Sequence, residues 1–250
     1  MEQAKQGGNE TAPEMAGYYR GAGCFSLKAA ELNELLGVGR CFDMTGRDLS
    51  IGGRQARLWV VNGYAQEDLL ERVIAGWQAL SDLNSVTDAA DFCRRYVSAC
   101  DAAAEPDRDT AVMGVFAGKT LAIIDGFGGG VVLDAKQFPT RSVEEPDTSR
   151  VLRGSHDGFV ENLMQNAALL RRRVRDTHLR LERLQLPERS GTDVALCYME
   201  GEADEGLLRA LREKLMHIQL RSVAMSQETI AEAIAPRQFW NPLGYSKLST

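Results

Sequence analysis

Apolar positions recur along this chain with two different periods, and the places where the period changes mark the elements. The segment from Ser26, read as an N-cap, to Leu36 has helical spacing and is stopped by Gly37 and Gly39. Asp48 to Ile51, the two-residue turn Gly52-Gly53 and Gln55 to Val61 predict a β-hairpin, with Ala56, Leu58 and Val60 alternating against outer-face residues. After Asn62-Gly63 the period becomes helical, and Leu69, Leu70, Val73, Ile74, Trp77 and Leu80 fall on one face. A further helix carrying Phe92, Tyr96 and Val97 follows Thr87, and Ala102 to Asp109 reads as a polar connector. Val112 to Phe116, a turn at Ala117-Gly118 and Thr120 to Ile124 predict a second hairpin, with Val131 to Leu133 as a third strand.

Periodicity is lost between residues 137 and 156, where two prolines and several charges mark a linker. A helix from Asp157 to Arg173 is then expected, with Phe159, Leu163, Asn166 and Leu170 on one stripe. That stripe predicts a buried Phe159 and a hydrogen-bonded Asn166. Leu179 to Leu186 is extended, Val194 to Met199 is a strand, Asp204 to Ile218 a helix, and Gln227 to Ile234 a short last helix. Leu58 to Leu70 matches Ala195 to Leu208 in its order of strand, x-Gly turn, acidic helix start and leucine pair, which predicts a duplicated unit. The expected fold is therefore α/β of the mixed α+β kind: two related small subdomains with mixed sheets flanked by helices. Their expected limits are an N-terminal arm over 1–23, a first subdomain over 24–138, a linker over 139–156 and a second subdomain over 157–250. Because the second unit has no counterpart of the Val112 to Ile124 hairpin, it is expected to be incomplete at Thr250, with self-association through an unfinished sheet edge.

Composition narrows the function classes. Lys and Arg total 29 against 35 Asp and Glu, a net charge of -6, which argues against a global nucleic-acid surface. The five cysteines have no metal-ligand spacing and fit reduced, mostly buried thiols. No apolar run is long enough to cross a bilayer, and the start has no signal-peptide pattern. Gly126 to Gly130 lacks the features of a phosphate loop, and His156, His178 and His217 lie apart from one another. With no G-x-S-x-G and no metal cluster, the chain reads as a non-enzyme with no catalytic residue, cofactor or metal. The pointed feature is Arg171, Arg172 and Arg173 with Arg175. Successive helical positions span all faces, so at least one of these arginines must lean toward the core or pair with a carboxylate such as Glu161, and the run reads either as a solvated, salt-bridged helix end or as a basic face for a partner or anionic lipid headgroups.

Val143, Glu144, Glu145 and Pro146, with Arg153, Gly154, Asp157, Gly158, Phe159, Glu161, Asn166, Leu169 to Val174 and Thr192 to Gly201, resemble the soluble N-terminal region of the GerA-type spore germinant receptor A-subunit family. The opening from Leu36 to Gly39 and Phe42-Asp43 is closer to its stage V sporulation AF branch than to a nutrient receptor. Ser155, His156 and Asp157 depart from the family pattern, and the family continues into a multi-span membrane domain. The resemblance implies a domain on the cytosolic face of the endospore inner membrane, acting in assembly or signal transmission with other germination-complex subunits. The alternative is a small-molecule sensor with its ligand cleft between the two subdomains.

Overall fold

The computed structural model describes residues 25–137, 159–187 and 193–217. The expected arm, the linker, the Gln227 to Ile234 helix and the tail lie outside these residues.

The first element among the described residues is helix α1 (Phe25–Leu36), so Ser26 is a second-position helical residue and not the cap. Strands β1 (Met44–Ile51) and β2 (Arg54–Val61) form the expected hairpin, with Ile51 paired to Arg54 across the turn. Helix α2 (Glu67–Gln78) buries Leu70, Val73, Ile74 and Trp77, the stripe read from the sequence. Each such side chain contributes roughly 1.5 to 3 kcal/mol of transfer energy when fully buried. Helix α3 (Ala89–Tyr96) is capped by Asp88, whose carboxylate accepts from the Asp91 N–H at 2.8 Å.

Two expectations in this half are overturned. Asp101 to Glu105 is strand β3, where a connector was expected. Val112 to Phe116 belongs to helix α4 (Arg108–Phe116), not to a hairpin. The helix starts at Asp107, which accepts from the N–H and hydroxyl of Thr110 at 2.8 and 2.6 Å, and this cap directs the apolar run into helical rather than extended backbone. Strands β4 (Thr120–Ile124) and β5 (Gly130–Asp134) complete a five-stranded sheet in the order β1-β2-β4-β5-β3.

Helices cover both faces of that sheet. Ala56 and Leu58 enter the core shared with α2 and α3, whereas Trp59 and Val61, of opposite parity, enter the core shared with α1 and α4. Trp77 meets Phe92 edge-on at 5.2 Å between ring centroids.

Helix α5 (Leu163–Arg173) begins later than expected, where Asn162 caps it by accepting from the N–H groups of Met164 and Gln165 at 2.9 and 3.1 Å. Phe159 therefore precedes the helix and is 59% exposed, contrary to the buried stripe, while Leu163 and Leu170 are half-buried. Asn166 does form the expected bonds, donating to Val160 O at 2.6 Å and accepting from Val160 N at 2.7 Å. Strands β6 (Leu179–Gln185) and β7 (Asp193–Met199) make a second, two-stranded sheet, followed by α6 (Glu205–Met216) capped by Asp204. The fold is α+β, and the strand pairs of both sheets are antiparallel where mixed sheets were expected. Among the described residues no helix is long and apolar enough to cross a membrane.

Candidate functional site

The two sheets are joined through the segment that precedes β1. The segment entering β1 runs beside β6, and the Phe42 N–H donates to Leu181 O at 3.0 Å. From the other side α5 lies against the α1/α4 core, where Ala168 is buried and its carbonyl accepts from the Tyr64 hydroxyl at 2.6 Å.

Between these two contacts lies a charge pair excluded from solvent. Arg171 donates from Nε and Nη2 to the two oxygens of Asp43 at 3.0 and 3.1 Å, and from Nη1 to Leu179 O at 3.1 Å. Both residues are 0% exposed. The guanidinium lies 5.2 Å from the Phe116 ring centroid, and the Cys41 thiol donates to the same Leu179 carbonyl at 3.8 Å. Burial pulls the pKa of Arg171 down, but the hydrogen bonds and charge of Asp43 outweigh it, so the group stays protonated above its ordinary range. The same burial raises the pKa of the Tyr64 hydroxyl. Removing one partner of such a pair leaves the other charged and unpaired, which typically costs about 3 to 5 kcal/mol.

A second, more exposed set of charges surrounds this joint. Glu200, in the turn after β7, accepts from Arg180 and from Arg40 Nη1, the latter at 2.9 Å. Arg180 also donates to Thr177 O at 2.8 Å, and its buried Nε has no partner among the described residues. The hydrogen bond and charge of Arg180 hold the Glu200 carboxyl below its usual value. In the first unit the matching turn residue is Asn62, which donates to Phe42 O at 3.4 Å. Both turns therefore tie into the segment from Arg40 to Phe42.

The arginine run divides accordingly. Arg171, expected at a surface contact, is the core-facing member, and its carboxylate partner is Asp43 rather than Glu161, which is exposed. Arg172, Arg173 and Arg175 are exposed at the end of α5, where cations suit the helix dipole, and Arg175 Nε donates to Arg172 O at 3.3 Å. Glu144, Glu145, Pro146, Arg153, Gly154 and Gly158 lie outside the described residues. Asp43, Tyr64, Arg180 and Glu200 were not singled out as site residues by sequence reasoning. The one available signal was an acid set among apolar neighbours in Cys41-Phe42-Asp43-Met44. Among the described residues no group of three or more His, Cys, Asp or Glu can hold a metal ion.

Comparison with known proteins places this arrangement. The family model described as Bacillus/Clostridium GerA spore germination protein matches residues 30–247. The chain belongs to the GerA spore germination family. It is 31% identical over 208 residues to stage V sporulation protein AF of Bacillus subtilis (strain 168), covering 83% of this chain and 42% of that protein. To spore germination protein XA of Bacillus anthracis it is 35% identical over 125 residues, covering 50% of this chain and 25% of that one. The chain thus spans less than half the length of these GerA relatives. In fold it is similar to the N-terminal domain of the A subunit of the Bacillus megaterium spore germinant receptor GerK3, with a TM-score of 0.60, 18% identity, and coverage of 77% of this chain and 71% of that one.

Proposed function

We propose that this chain is a non-enzymatic domain of a spore germination protein, lying on the cytosolic face of the endospore inner membrane, that transmits displacement between partner subunits as one rigid piece. The observation that carries the reading is the Asp43–Arg171 pair. A buried, doubly hydrogen-bonded ion pair that also engages the β6 edge opposes separation of the two sheets, because opening breaks its three charge-assisted hydrogen bonds together. A domain built to close on a ligand needs the opposite: an interface with weak, water-exchangeable contacts between its halves. The exposed Arg172, Arg173 and Arg175 supply a basic end to α5 that suits anionic headgroups or an acidic subunit surface.

The test uses the full-length protein in spores and compares two variants. Asp43→Ala leaves an unpaired buried guanidinium and should abolish both complex assembly and germination. The double variant Asp43→Leu/Arg171→Met refills the joint with apolar side chains, and under rigid transmission it should restore both. If the double variant assembles but does not germinate, the joint has to open, and the sensor with a cleft between subdomains replaces the rigid reading.

A further inference from the structure

Among the described residues a groove of about 590 Å³ lies on the first sheet, away from the joint, between the start of α1 and the neighbouring ends of β1 and β2. Its lining is part apolar, with Ala29 and Leu49, and part polar, with Asn33, Asp48, Gln55 and Arg57. We infer that this groove binds a small carboxylate-bearing molecule, with Arg57 as the anchoring guanidinium.

Arg57 is held as a fixed plane rather than a free surface chain. Its Nε donates to Asn33 Oδ1 at 3.2 Å, and that oxygen is itself fixed by the Trp59 indole N–H at 2.8 Å. The guanidinium lies 5.9 Å from the Trp59 ring centroid. It passes directly over Gly46 of the neighbouring strand, where a Cβ would come within 3.0 Å of Nη2, so a larger residue there would displace it. Preorganisation of this kind removes most of the ordering cost that a surface arginine meets on binding.

The outer edge of the plane is what remains for a ligand. Nη1 donates to Asp48 Oδ1 at 2.6 Å, and Nη2 has no acceptor among the described residues. The Asp48 side chain is 76% exposed, so its hold on Arg57 is a solvent-facing ion pair of the kind that adds little to stability. A ligand carboxylate can take both Nη1 and Nη2 in the fork geometry while Asp48 turns into solvent. The same aspartate, remaining nearby, selects against dianions, which favours a carboxylate over phosphate. The volume falls within the range of small-molecule sites, and the apolar part of the lining suits a ligand with a hydrocarbon or ring body.

The experiment is isothermal titration of the 250-residue chain with sodium benzoate, its neutral isostere benzamide, and inorganic phosphate. Saturable benzoate binding at least tenfold tighter than benzamide, and tighter than phosphate, is expected. Arg57→Gln should weaken benzoate at least tenfold. Asp48→Asn removes the competing carboxylate and should tighten benzoate several-fold, a gain that misfolding cannot produce. Equal affinity for benzoate and benzamide, phosphate binding more tightly than benzoate, unchanged binding in Arg57→Gln, or no gain in Asp48→Asn would each overturn the assignment.

Discussion

Among the described residues the order helix, strand, strand, helix occurs twice, as α1-β1-β2-α2 and as α5-β6-β7-α6, and the two units differ mainly in what lies beneath them. Helices α2 and α6 are each 12 residues long, and each begins four residues after a left-handed glycine, Gly63 at φ 83° or Gly201 at φ 86°. Yet α2 buries Leu70, Val73, Ile74 and Trp77, whereas α6 buries Leu208 and Leu215 and leaves Leu207 59% exposed. The first unit extends its sheet by β4, β5 and β3, and the second sheet has two strands among the described residues. Local sequence therefore makes the element, and the breadth of the sheet under it decides how much of its apolar face leaves water.

The largest effect that would break this comparison falls at the joint where the two units meet. Asp43→Ala should destabilise the chain by about 3 to 5 kcal/mol, because Arg171 is left charged and buried without its carboxylate. Urea unfolding followed by both tryptophan fluorescence and far-ultraviolet circular dichroism should show one transition for the parent chain. Two transitions in the variant would mean that the ion pair is what couples the two units. A loss under about 1 kcal/mol would mean that the joint is held by the apolar contacts of Ala168 and the Phe42 to Leu181 bond instead.

The next effect separates the two helices. Leu70→Ala in α2 should cost about 2 to 5 kcal/mol, since Leu70 is buried among side chains that cannot fully collapse into the space. Leu207→Ala in α6 should stay within about 0.5 kcal/mol. Comparable losses at the two positions would show that α6 is covered in solution as α2 is.

These contrasts also explain what was legible in the sequence and what was not. The passage from β2 through Asn62-Gly63 to α2 was readable because period, turn residue and acidic helix start agree locally. Val112 to Phe116 misled because a five-residue apolar run fits strand and helix equally, and the deciding signal, the Asp107 cap, lay in a stretch read as connector. Strand β3, of sequence Asp-Ala-Ala-Ala-Glu, has no strand propensity and is extended because it pairs with β5 from Asp101 to Glu105. Asp43 and Arg171 stand 128 residues apart, so sequence could say that some arginine of the run faces inward but not which carboxylate receives it.

A smaller effect compares the two glycines. Gly63→Ala and Gly201→Ala should each cost about 1 to 2 kcal/mol for placing a side chain in left-handed backbone. At Gly63 an added Cβ also comes within 3.2 Å of Met164 Cγ on α5, whereas at Gly201 there is nothing within 4 Å. Gly63→Ala should therefore be the more harmful by thermal unfolding. Equal losses would mean that Met164 yields freely and that α5 is not tightly seated on the first turn.

The smallest effect concerns the charge on Glu200, and its sign is set by direction of titration. Hydrogen bonding to Arg180, with the added charge of Arg40, holds the folded carboxyl below its ordinary value of 4.5. A depressed carboxyl contributes stability that is fully present above the unfolded pKa and is lost as pH falls through the folded one. Glu200→Gln keeps the shape and a hydrogen-bonding group but removes the titration. The parent chain should thus be more stable than the variant at pH 7, the gap should shrink once pH drops below about 4.5, and the two unfolding curves should converge in acid. High salt at pH 7 should narrow the same gap, because the carboxylate is partly exposed and its attraction to Arg40 and Arg180 is screened. A gap that persists unchanged in acid would assign the role of Glu200 to turn geometry beside Gly201, the part Asn62 plays in the first unit, and not to the ionic ring around the joint.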